Sequence, residues 1–331
     1  MTKDKVIELS LKDFLELAMG PGYDPASVDK IRNVIQHRYD WCKFFDVRNG
    51  NPNGDPDAGN APRIDPETLL GIITDVCIKR KIRDFIDAMM NSQSGYRLYI
   101  KNDAYLNAKD EEAFSAIGVK KDQKMSKTDA ADIERKLTRF MCDNFYDVRT
   151  FGAVMTSFSK NGLNCAGMRG PVQMSCANSI DPIQPIELSI TRQVQTNEKE
   201  SKENKDEKSG NAGTFGNKFI IPYALYRMDG HVSANLAQRN TGFSEDDLAK
   251  FWFALMNMFE MDHAAARGEM STKELIVFQH DSIYGNAPAY KLFDAVHVEN
   301  ITGGPARGFR DYKITVDEDK IPDGVICYRI Q

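Results

Sequence analysis

The feature that most constrains the fold is an alternating apolar run that breaks abruptly into a loop no regular element can accommodate. Tyr39, Trp41, Phe45 and Val47 occupy alternate positions and predict a strand, which runs directly into Asn49-Gly50-Asn51-Pro52-Asn53-Gly54. Residues 1–37 precede it as a helical appendage. They hold an amphipathic run from Val6 to Leu17 closed by Gly20-Pro21, then a second helical pattern through Val28, Ile31 and Ile35.

Downstream of the loop, Asp65-Pro66 reads as an N-cap followed by proline at the first helical position. It opens a helix through Leu69, Ile72, Val76, Ile82 and Phe85 to about residue 90. At about 100° per residue, Lys79, Arg80 and Arg83 fall within one arc, so the sector that Ile72 and Val76 occupy turns basic. Tyr96, Leu98 and Ile100 alternate as a strand, and residues 103–147 read as a helical insertion. Strands are expected at 171–180, 186–193 and 218–228, then at 274–280, 292–299 and 324–330. Between the two groups, Ser244 and Asp247 cap a helix carrying Leu248, Phe251, Trp252, Leu255 and Phe259 toward Gly268. Stripped of insertions, the order strand, helix, strands, helix, strand is that of a ferredoxin-like α+β unit.

At 331 residues and 41% hydrophobic content the chain can bury a sizeable core. No run approaches the roughly 20 apolar residues of a membrane span, and the N-terminus lacks a secretory layout, so the cytoplasm is the expected compartment and no membrane partner is expected. Six cysteines without a C-x-x-C pair signal neither zinc nor disulfides and read as buried thiols. A net charge of -5 means that any nucleic-acid site must be local. The segment Glu198 to Lys208, five acids against four lysines, reads as solvated.

Several constellations invite chemistry. The Asn49–Asn60 loop imitates a calcium loop but lacks its acids at the first and last positions. Asp46, Asp55 and Asp57 can be drawn as a magnesium-dependent nuclease cluster, yet turn formation explains them without catalysis. The glycine-rich run Gly162–Pro171 offers Arg169 to phosphate and Met168 as an apolar wedge. The five histidines lack metal spacing, and no cofactor is implied.

Longer blocks carry a resemblance. Phe45-Asp46-Val47-x-x-Gly50-Asn51-Pro52-Asn53-Gly54-Asp55-Pro56-Asp57-Ala58-Gly59-Asn60, Thr74–Arg83, Asp147–Met155, Arg169–Met174 and Ala264–Gly268 resemble the backbone subunit of type I-C CRISPR Cascade, from about residue 38 onward. The resemblance implies an RRM-like palm over 38–331 with finger and helical insertions at 103–147 and a thumb hairpin at 193–217. It implies a binding protein and not an enzyme, stacked head to tail on CRISPR guide RNA (crRNA) that pairs with target DNA. Its partners would be further copies of itself and the processing (cap), large and small Cascade subunits. Carried onto this chain, the RNA track is Arg48, Asn49, Asn51, Asn53, Lys79, Arg80, Arg83, Arg149, Met168, Arg169, Arg192 and Lys218. The alternatives are a metal-dependent ribonuclease on a ferredoxin-like scaffold, and a structural oligomer without RNA.

Overall fold

The computed structural model describes residues 5–331 except 29–32, 92, 103–104, 120–126, 156–157, 159–162, 164, 166 and 193–213. The N-terminal run divides at Ser10. Val6–Leu9 is strand β1, and Ser10 accepts from the Asp13 N–H to cap helix α1, Leu11–Met19, which buries Phe14 and Leu15. No appendage results. β1 pairs in parallel with the last strand of the chain, and Phe14 and Leu15 join the main core. Val28 and Ile35 are not helical, and Ile31 lies outside the described residues.

Strand β2, Tyr39–Gly50, is buried on both faces and is the axis of the molecule. Tyr39, Trp41, Phe45 and Val47 enter one core, while Cys42 and Phe44 enter another on the opposite face, as the two-residue period of a strand requires. The loop after it carries two short strands, β3 (Gly54–Asp55) and β4 (Ala61–Pro62).

The expected helix start at Asp65 is corrected. Asp65 instead accepts from Glu67 N–H and the Thr68 hydroxyl, a turn in which aspartate bonds its own chain. Leu69 takes a left-handed φ of 59°, and Leu70–Ile73 forms strand β5. Thr74 then caps helix α2, Asp75–Met90, whose Ile78, Ile82, Phe85 and Ile86 are buried. Residues 96–101 do not form the expected strand. Among the described residues a single bridge, Arg97 to Phe145, pairs there, because the chain curls around Asp147, whose carboxylate accepts from Tyr99 and Ile100 N–H at 2.7 and 2.9 Å.

Helices α3 (Leu106–Ala116), α4 (Lys127–Asn144) and α5 (Tyr146–Phe151) follow, with a separate core of Tyr99, Phe114, Leu137, Met141 and Phe145. The ribbon of β6 (Gly152–Val154) and β7 (Gly167–Arg169) borders this core. Strands β8 (Val172–Met174), β9 (Ala177–Pro182), β10 (Ile186–Arg192) and the 19-residue β11 (Thr214–Val232) return the chain to β2. Helix α6, Glu245–Asn257, opens on the expected Ser244–Asp247 capping box but ends well before Gly268. The chain closes with β12 (Glu269–His280), α7 (Ala289–Phe293), β13 (Val296–Asn300), β14 (Tyr312–Val316) and β15 (Val325–Ile330).

The product is a mixed α+β chain around a nine-stranded sheet ordered β1-β15-β12-β2-β11-β9-β5, with β8 and β10 also pairing β11. β2 lies antiparallel between β11 and β12. A bulge between Thr272 and Glu274 turns Lys273 toward Asp46, at 3.2 Å. Helices α2 and α6 share the core on one face, while α7, β13 and β14 close the other. All six cysteines are free. Cys42, Cys142 and Cys327 are buried, Cys77 and Cys165 half-buried, and Cys176 is exposed against expectation. Among the described residues no helix is long and apolar enough to cross a membrane. The tip of the expected thumb, 193–213, lies outside them.

Candidate nucleic-acid interface

The loop that ends β2 is held from within. Asn49 adopts a left-handed φ of 51°, which asparagine tolerates, one residue before β2 ends at Gly50. Gly50 has no room for a side chain because the Arg267 carbonyl occupies that space, and Gly268, at φ 65°, packs on the Arg48 and Asn49 carbonyls. Asn51 N–H donates to the Ala266 carbonyl at 2.8 Å. Two glycines thus let the turn Ala264–Gly268 dock backbone to backbone on the end of β2.

Cations gather around this joint. Arg48 projects from β2 half-exposed, 4.0 Å from Glu269, and Lys218 of β11 donates to the Ala265 carbonyl. Arg267 bonds both the Asp262 carbonyl and its carboxylate, which also takes Lys81 and, at 3.6 Å, Arg80. Three cations therefore share one carboxylate, with Asp84 held by Arg80 as well. Burial, reinforced by the charges of Arg267 and Arg80, pulls the Lys81 ammonium down to about 8. Beneath it Lys43 is fully buried, donating to the Leu255 carbonyl with its ammonium 4.5 Å from the Phe259 ring centre. Burial and the nearby Lys81 hold its pKa well below the ordinary lysine value.

Several expected contact residues serve the interior instead. Arg149 is 1% exposed and forks onto Asp247 at 2.8 and 2.7 Å, also donating to the Cys142 and Gly95 carbonyls, so it is withdrawn from the surface. Arg83 is buried and bonds Asp147 at 2.9 Å. The Asn53 side-chain Oδ1 accepts from Thr74 N–H and hydroxyl, tying the loop to the start of α2. Asn51 donates to the Asn60 carbonyl at 2.7 Å, and its buried Oδ1 has no partner among the described residues. Lys79 is paired with Asp75 at 2.9 Å.

Met168 is half-buried against the helical core, with its sulfur 3.3 Å from Cys142, while Arg169 is exposed on β7. Arg192 ends β10 opposite Thr214 on β11. The structure therefore assembles Arg48, Asn49, Arg80 and Lys218 at one joint and adds Arg267. Sequence reasoning passed over Arg267 because it stands alone between three alanines and a glycine; its signal was the left-handed Gly268 that aims it.

Of the acids drawn as a nuclease cluster, Asp46 and Asp55 each have a local cation. Asp46 accepts from Tyr223 hydroxyl and pairs with Lys273, both at 3.2 Å, while burial pushes its pKa up. Asp55 pairs with Arg63 at 3.3 Å and accepts from Asp57 N–H. Among the described residues no three His, Cys, Asp or Glu side chains form a metal cluster. His231 and His280 converge on Asp40, at 2.6 and 2.9 Å, with Arg38 at 2.9 Å. Despite its burial, these donors hold the Asp40 carboxyl well below the usual range.

Comparison with known proteins follows the same residues. The sequence profile described as "CRISPR-associated protein Cas7" matches residues 37–317. A curated "CRISPR-associated protein Cas7" from Haloferax volcanii is 24% identical over 293 residues, covering 85% of this chain and 81% of that protein. Among solved structures, a chain of a "CRISPR RNA-guided surveillance complex, pre-nicking" aligns with 13% identity and a TM-score of 0.46, covering 73% of this chain and 78% of that one. A chain of a "CRISPR RNA-guided surveillance complex" aligns with 13% identity and a TM-score of 0.40, covering 73% and 68%. With the profile spanning the β2 strand, its loop, the joint at Ala264–Gly268 and most of the sheet, the chain belongs to the CRISPR-associated protein Cas7 family.

Proposed function

We propose that this chain is the guide-binding backbone subunit of a type I-C Cascade complex, working in the cytoplasm. Copies stack head to tail along crRNA and leave its base edges open for pairing with target DNA. The observation that carries the reading is the cationic joint of Arg48, Arg80, Lys218 and Arg267 on a chain whose net charge is -5, within a family profile that spans it. Local positive charge on an acidic protein serves a defined phosphate path and not general adhesion. A head-to-tail interface that does not close generates a helix, the form needed to cover an elongated guide.

The order β12-β2-β11-β9, with α2 and α6 on one face, supports the RRM-like palm within 38–331. Residues 103–147 are the helical insertion, and the β10–β11 hairpin is the root of the thumb, which we assign to crossing the guide of the adjacent copy. Arg48, Asn49, Arg80, Lys218 and Arg267 are the primary RNA-binding residues, with Arg169 and Arg192 on strands nearer the insertion and thumb. No catalytic role is assigned, since Asp46 and Asp55 are engaged by Lys273 and Arg63. The test is the ratio of absorbance at 260 and 280 nm of protein purified in low salt. Co-purified RNA is expected, lost at high salt; a nucleic-acid-free oligomer would refute the reading.

A further inference from the structure

Two arginines from different elements reach one carboxylate oxygen. Arg267, in the turn that docks on β2, bonds Asp262 Oδ1 and, at 3.1 Å, the Asp262 carbonyl. Arg80 of α2 stands 3.6 Å from the same Oδ1. The other oxygen, Oδ2, takes the Lys81 ammonium. The two oxygens face different surroundings. The Lys81 side chain is 0% exposed, whereas those of Arg80 and Arg267 are 37% and 31% exposed, so a buried cation holds the inner oxygen and two guanidiniums that solvent reaches hold the outer one. Guanidiniums converging on a single anionic oxygen form the arrangement that grips a phosphate, and here a carboxylate of the chain itself fills it.

The carboxylate is fixed and the arginines are its movable partners. Asp262 N–H donates to the carbonyl of Phe259, a buried member of the main core, at 3.1 Å. Arg80 is also paired with exposed Asp84 one turn along α2, a contact of the kind that contributes little in water. Arg267 can release Oδ1 and keep its bond to the carbonyl. When both guanidiniums turn outward, Asp262 retains Lys81, so neither member of the inner pair is left as an unpaired buried charge. The cations are also crowded. Burial, and then the charge of Arg80, pull the Arg267 guanidinium below its ordinary value, a penalty that a second anion at this spot relieves.

We propose that Asp262 is an autoinhibitory stand-in for a backbone phosphate of RNA, holding Arg80 and Arg267 until the strand displaces it and then remaining on Lys81. This rests on the RNA-binding reading above and adds a regulation of that same site. The brake has two parts, the ion pairs to be exchanged and the repulsion between the retained carboxylate and the incoming phosphate. Both lower the affinity of a single copy for stray RNA, while neighbouring copies on one guide raise the effective concentration that overcomes them.

A double-mutant cycle on the full-length chain tests this, with binding of a short oligouridine read by fluorescence anisotropy at fixed salt. Asp262→Asn keeps the shape of the side chain and removes its charge. It is expected to bind roughly three- to tenfold more tightly than the parent, since each half-exposed ion pair released is worth a factor of about two to five. In an Arg80→Ala/Arg267→Ala background the same substitution should change affinity by less than about twofold, because the cations it frees are gone. Asp262→Asn also leaves Lys81 without its counter-charge, so Asp262→Asn/Lys81→Met is measured beside it, with urea melts to confirm that each is folded; the same gain is expected. Binding no tighter than the parent in the folded variants, or a gain that survives without the two arginines, overturns the proposal and leaves the RNA reading standing. A parent chain that binds no oligouridine at low salt removes the RNA reading, and this inference with it.

Discussion

Replacing Arg149 by methionine keeps the length and apolar stem of the side chain and removes a guanidinium that is 1% exposed. Asp247 loses a two-pronged ion pair at 2.8 and 2.7 Å, and the Cys142 and Gly95 carbonyls lose their donor. Removing one partner of such a buried pair costs about 3–5 kcal/mol, because the remaining charge stays out of water. At about 1.4 kcal/mol per decade, the folding equilibrium shifts by roughly two to nearly four decades. Urea unfolding at pH 7, followed by far-UV circular dichroism, reads this as a lowered midpoint at unchanged slope. Arg149→Met with Asp247→Leu should recover most of the loss, short of about 1 kcal/mol for the missing cap. RNA affinity measured well below the unfolding transition should be unchanged. A variant that stays within about 1 kcal/mol of the parent yet binds RNA tenfold more weakly would refute the structural role and return Arg149 to the RNA path.

Three further outcomes are expected. Alanine at Arg48, Arg80, Lys218 and Arg267 together should weaken RNA binding and reduce the slope of log affinity against log salt by about 0.7 for each phosphate no longer neutralised, measured by filter binding; an unchanged slope rejects the joint as the phosphate path. Chelator should leave RNA intact with the purified protein, and magnesium-dependent cleavage abolished by Asp55→Ala would establish the ribonuclease alternative. Lys81 is held near 8 against an ordinary value of 10.5, so the unfolded chain binds more protons between those limits. Stability should therefore rise with pH across about 8 to 10.5, the charged form being the penalised one below that window. Lys81→Met should remove that part of the slope in urea melts repeated across the window.

Local chemistry was legible where partners are close in sequence. Ser244 and Asp247 are three residues apart, and their capping box formed as expected. The alternation of Tyr39, Trp41, Phe45 and Val47 likewise marked the face of β2 that enters the main core. What the sequence concealed was the interior use of charge. Arg83 meets Asp147 across 64 residues and Arg149 meets Asp247 across 98, so each read as a surface cation until the fold supplied its acid. Asp65 failed differently. An aspartate before a turn and an aspartate before a helix share one signature, and pairing of β5 with β9 decided between them. Tyr96, Leu98 and Ile100 alternated without forming a strand, because Asp147 takes the N–H groups a sheet partner would have used.

The candidate RNA-binding residues share a property that bears on how binding is achieved. Arg48 faces Glu269, and Arg80 faces both Asp84 and Asp262. Arg267 is also tied to Asp262. A phosphate arriving at this joint therefore exchanges one anionic partner for another, and the net gain at each cation is small compared with that of an unpaired one. The exception is the excess built around Asp262, where Arg80, Lys81 and Arg267 outnumber the carboxylate and Lys43 lies beneath. That excess is costly to the fold, since burial opposes both ammoniums, and such a conflict with local preference is expected at a functional site. Modest gain per subunit suits a backbone protein. On the proposed reading, one copy alone would grip RNA weakly, whereas copies joined on a single strand would raise one another's effective concentration and bind tightly only as an array.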